Sequence, residues 1–222
     1  MGFDIDAWTV RVLEQGLPPL PARLEPSQTV PIALWRGERY GAVLFVRLWR
    51  NGNVDSDCAI TERAADGSWE EDVFAGGSGW IQDPLVRSEN GWDGDPVIWL
   101  GTTGMGFGVE PEDETDEPGM HPVIVKVPAG LSEDESRALV EAHAQREREA
   151  RQALWDQFDV RAIVGAASAR VAAIEVEQGG RKWEVPIESP CGAFIVGLEQ
   201  PGPATLGVLG HDGSHLVPIS RA

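Results

Sequence analysis

Two stretches of the 222-residue chain carry side chains of types and spacings that could do chemistry. In the first, residues 51–62, oxygen-bearing side chains fall at Asn51, Asn53, Asp55 and Asp57, with Glu62 in the twelfth position, which is the spacing of a calcium-binding loop. The second, residues 76–101, gathers Trp80, Trp92 and Trp99 with Asp83, Arg87, Glu89, Asn90, Asp93 and Asp95 among glycines and prolines. Tryptophan faces stack on sugar rings or partner side chains, and a guanidinium grips an anion. Paired carboxylates hydrogen-bond hydroxyls or, with one pKa raised, act as acid and base. Trp80, Asp83, Arg87, Trp92, Asp93 and Asp95 are therefore the candidate binding residues, and Asp83, Asp93 and Asp95 are the carboxylates a hydrolase would use. The competing account is that the tryptophans fill cores while Asp-Pro and Asn-Gly-Trp-Asp-Gly-Asp make turns.

The first stretch is better explained as a β-hairpin. An EF-hand loop wants aspartate first, glycine sixth and a helix on each flank, whereas this chain has Asn51 and Ser56 at those positions and no flanking helical period. Asn51-Gly52 between two apolar runs supplies a tight turn. Val54, Ser56, Cys58 and Ile60 then share one strand face and Asp55, Asp57, Ala59 and Thr61 the other, with Asp55 and Asp57 solvated.

Other motifs carry less. His211 and His215 bracket the turn Asp212-Gly213-Ser214 without a third metal ligand of matching type nearby. GGSGW around Ser78 lacks the last glycine of a nucleophile elbow, and GTTGMGFG, residues 101–108, lacks the Lys-Ser/Thr of a phosphate loop. No metal or cofactor is expected.

The elements that must position these residues form a mainly β, α+β chain. Residues 1–28 read as a short helix, capped by Asp4 or Asp6 and ended by Gly16 and Leu-Pro-Pro, followed by a proline-rich lead-in. Residues 29–130 form an acidic β module with strands TVPIALWR, YGAVLFVRLWR, VDSDCAITER, SWEEDVF, PVIWLG and HPVIVKV, loop-rich over 76–119. Its run EPEDETDE, residues 110–117, is a spacer with nothing apolar to bury. Residues 131–158 form one long helix with a Ser132/Glu135 capping box, polar in its middle, which reads as a bridge. Residues 159–222 hold six short strands of a small antiparallel module, an immunoglobulin-like sandwich or barrel. The expected architecture is thus two antiparallel β modules joined by one long helix.

The charge balance selects among functions. Thirty-six acids against 18 bases give −18, of which residues 1–130 carry −13. Such a surface repels phosphate backbones and anionic membranes, so neither nucleic acid nor membrane is an expected partner. Two cysteines in apolar stretches and an acidic start with no secretory pattern point to a cytoplasmic protein, and the scarcity of lysine is bacterial-like. With no catalytic constellation, the leading expectation is a non-catalytic binding protein engaging a basic protein surface, as immunity proteins do. The alternatives are a carbohydrate or small-molecule binder using the 76–101 loops, and a carboxylate-dependent hydrolase.

Overall fold

The computed structural model describes residues 3–79, 84–105 and 132–221. The elements run α1 (Ile5–Gln15), β1 (Thr29–Arg36), β2 (Tyr40–Leu48), β3 (Val54–Glu62), β4 (Phe74–Gly79), β5 (Val97–Met105), α2 (Glu133–Trp155), β6 (Val160–Ala167), β7 (Val171–Gln178), β8 (Arg181–Pro186), β9 (Ala193–Leu198), β10 (Ala204–Gly210) and β11 (His215–Arg221). The chain is mainly β, with three antiparallel sheets ordered β1-β2-β3-β4, β5-β6-β9 and β11-β10-β7-β8.

Residue alternation sets the layers. In β2, Ala42, Leu44 and Val46 face inward to meet Val160, Ala162 and Val164 of β6 and Ala193 and Ile195 of β9 in one core. Val43 and Phe45 face the other way, onto Val12 and Leu13 of α1. The first two sheets thus face each other, with β1 running beside β9 and β4 beside β5 at their edges. The middle sheet is covered twice, because Ile163, Phe194, Val196 and Leu198 pack outward onto Ile174, Val176, Leu206 and Val208 of the third sheet. Burial on both faces explains why β6 and β9 read as nearly unbroken apolar runs.

Local chemistry fixes the ends of α1. The Asp4 carboxylate accepts from the Ala7 N–H at 3.2 Å, and Gly16, at φ 89°, closes the helix. Arg36 reaches across from β1 to donate to the Leu13 and Val12 carbonyls, placing a cation on the negative end of the helix. At the start of α2, Ser132 Oγ accepts from the Glu135 N–H while Glu135 accepts from the Ser132 N–H at 2.8 Å, the expected capping box. Most described side chains along α2 are exposed, Val140 among them.

Two of the expected strands differ from the sequence reading. Strand formation in SWEEDVF begins only at Phe74, because Trp69 drops under α1 against Val12 and Leu13. PVIWLG, read as part of the front module, pairs instead with β6, from Val97 opposite Ala167 to Met105 opposite Val160. Expected strand HPVIVKV and the acidic run 110–117 lie outside the described residues.

Candidate functional site

The described part of the loop before β5, residues 84–96, is tied down at Arg87 and at the turn after Trp92. Arg87 donates to the carbonyls of Ala167, Ser168 and Val171 at 3.3, 3.0 and 2.7 Å, and burial pulls its pKa below the usual value. Its guanidinium therefore holds the β6–β7 connection. Trp92 and Asp95 exchange two backbone hydrogen bonds of 2.8 Å, with Asp93 at φ 50° and Gly94 at φ 93° between them. Positive φ at both central residues marks a type I′ turn, so Asp93-Gly94 performs turn chemistry. Trp92 is half-buried, and Asp93 and Asp95 are exposed. Trp80 and Asp83 lie outside the described residues.

The tip of the β2–β3 hairpin is also a turn. Trp49 N–H donates to Asn53, the Gly52 N–H returns to the Trp49 carbonyl at 3.0 Å, and only Gly52 has positive φ, at 86°. This is a three-residue loop with a glycine bulge, where Asn-Gly alone suggests a two-residue turn. The flanking strands pair from Leu48 opposite Val54 to Tyr40 opposite Glu62, which leaves no helix for an EF-hand. Asp55 accepts the indole N–H of Trp49. The Asp57 carboxyl is pushed above its ordinary pKa, by burial first and then by the Asp55 charge, with Arg47 opposing.

That tip forms one wall of a cleft of about 680 Å³, lined by Phe3, Ser27, Thr29, Arg47, Trp49, Arg50 and Asn51. Cross-strand pairing places Thr29 and Asp55 on either side of Arg47. The Arg47 guanidinium lies 3.8 Å over the Trp49 ring. None of these cleft residues belongs to the 76–101 loops, and only Asn51 falls in a stretch singled out by sequence. Their signal was weak, since Arg47 and Arg50 lie 20 and more residues from Ser27 and Phe3 and meet them only in the fold.

A second cleft, of about 620 Å³, opens where the three sheets meet and is walled by Trp35 and Trp183, with Arg39 and Arg181 at its rim. Trp35 lies across Gly197, where an added Cβ would fall 1.9 Å from the ring. Glu199 closes the floor, its carboxylate accepting from the backbone N–H groups of Glu38, Arg39 and Tyr40 at 2.9, 2.8 and 2.8 Å.

The histidines are placed apart. His211 meets the Ala169 carbonyl at 3.0 Å and His215 meets Glu175 at 3.1 Å. Among the described residues, no group of three or more His, Cys, Asp or Glu is placed to hold a metal ion. No helix among them is long and apolar enough to cross a membrane. Comparison with known protein families, curated proteins and solved structures finds no match.

Proposed function

We propose that the chain is a non-catalytic interaction protein whose acidic surface engages, and so neutralises, a basic protein partner in the cytoplasm. The observation that carries this reading is the way the chain uses its few cations. Arg36 caps a helix end, Arg87 holds three carbonyls, and Arg161, 1% exposed, is buried against Asp156 at 3.0 Å. Each is turned toward its own fold, so these cations do little to break up the carboxylates on the surface of a chain whose net charge is −18. Glu70, Glu71 and Asp72 stay exposed, and Phe74, 48% exposed, adds an apolar anchor beside them. The four-stranded sheet β11-β10-β7-β8 packed on β5-β6-β9 supports an immunoglobulin-like scaffold, completed by β5 from the front part, with α2 as the bridge.

The test is a pull-down from the native host at two salt concentrations, with the wild-type chain and the triple variant Glu70→Gln, Glu71→Gln, Asp72→Asn. A basic protein retained by the wild type at low salt, and lost both at high salt and with the variant, is the expected outcome. Retention of no basic protein, or equal retention by the variant, overturns the reading.

A further inference from the structure

The hairpin-tip cleft carries an inference separate from the acidic surface. Two polar atoms on residues that line it, Thr29 Oγ1 and Arg47 Nε, are buried and have no hydrogen-bond partner. Stranding a donor in this way is costly, the more so when it is charged. Both belong to residues that line the same cleft, opposite each other in the β1–β2 pairing.

The remaining lining repeats the pattern. Among the described residues, neither Arg47 nor Arg50 makes an ion pair, although this half of the chain carries −13. The carboxylate directly across the strands from Arg47, Asp55, accepts the Trp49 indole N–H. Asn51 Oδ1 already accepts from the Asn53 N–H at 3.0 Å, which leaves its amide nitrogen as the free donor. Ser27 presents its hydroxyl from a left-handed backbone at φ 68°, one of only two such non-glycine positions among the described residues. Strain of this kind persists where surrounding structure enforces it, and it gathers at functional sites.

We propose that this cleft binds the phosphate group of a small phosphate monoester, with the ester's flat or apolar body against Trp49 and Phe3. Two guanidinium groups, two hydroxyls and an amide nitrogen outnumber what one carboxylate can accept, and they suit three terminal phosphate oxygens. Phe3, 37% exposed, and Trp49, 39% exposed, supply the apolar rim. Among the described residues, no carboxylate lines the cleft.

The experiment is calorimetric titration of the full chain with phenyl phosphate, with inorganic phosphate and benzoate in parallel. Phenyl phosphate is expected to saturate one site and to bind about tenfold or more tightly than either comparison ligand. Arg50→Glu, at an exposed position, and Thr29→Val are each expected to weaken it about tenfold or more. Thr29→Val separates binding from folding: the hydroxyl has no partner in the fold, so its loss leaves the urea midpoint unchanged or raised. Failure of phenyl phosphate to saturate, or equal binding by both variants, overturns the site. Equal affinity for benzoate overturns the phosphate assignment, and equal affinity for inorganic phosphate overturns the ester body.

Discussion

Replacing Glu199 should loosen the junction of the three sheets by an amount the geometry sets. Its carboxylate receives three backbone N–H groups from residues 38–40, and hydrogen bonds to a charged acceptor contribute about 1.5–3 kcal/mol each when water cannot take over. The Glu38 and Arg39 residues lie in an exposed turn, so their amides pass to water at little cost. Tyr40 is 1% exposed, and its N–H is the one left stranded. Glu199→Ala should therefore cost about 2–4 kcal/mol, lowering the urea midpoint by roughly 1 M for a slope of about 2–3 kcal/mol/M. Glu199→Gln keeps an oxygen for Arg39 and Tyr40 while its amide nitrogen faces the Glu38 N–H, and it should cost about half as much. Urea unfolding followed by tryptophan fluorescence measures both. An alanine variant within about 0.5 kcal/mol of wild type, or a glutamine variant as damaged as the alanine one, would refute the reasoning.

Two further outcomes follow from single residues. Asp57 has its folded pKa raised above the unfolded value, so the native state holds the extra proton and stability falls as pH climbs through the window above 3.8. Asp57→Asn should stabilise the chain at neutral pH and lose that advantage at pH 3 and below, as read from urea midpoints at the two pH values; a variant no more stable than wild type at pH 7 contradicts this. Burial pushes the Cys58 thiol up to about 12, which keeps it protonated and unreactive. A disulfide reagent at pH 8 should modify it only in denaturant, and rapid labelling of Cys58 in the native chain would show the strand interior to be open.

Much of the fold was legible because its elements announce themselves locally. The six C-terminal strands were readable from alternating apolar runs broken by Gln178-Gly179-Gly180 and Asp212-Gly213, and α1 from Asp4, its helical spacing and Gly16. The partnership of β5 with β6 was not legible, since pairing across residues 106–159 leaves no local trace. The candidate site suffered from the same limit. Asp93 and Asp95 read equally as the carboxylates of a site and as turn residues, and only backbone angles, not composition, show the turn at Asp93-Gly94. Arg87 looked free to grip an anion because nothing in the sequence brings the carbonyls of Ala167, Ser168 and Val171 toward it. Arg47 and Thr29 escaped notice because an orphaned donor is a property of packing.

The shared core between the first two sheets also bears on the order in which the chain is made. Ile32, Leu44 and Ile60 leave the ribosome early, but Val160, Ala162, Ala193 and Ile195, which cover them, follow a hundred or so residues later. At about 5–20 residues per second, that face waits on the order of ten seconds for its cover. During synthesis the nascent front half is an uncovered sheet whose apolar side is open to any chaperone or neighbouring chain. A messenger truncated before the Val160 codon should yield an aggregating product, whatever the solubility its many carboxylates confer on the finished protein.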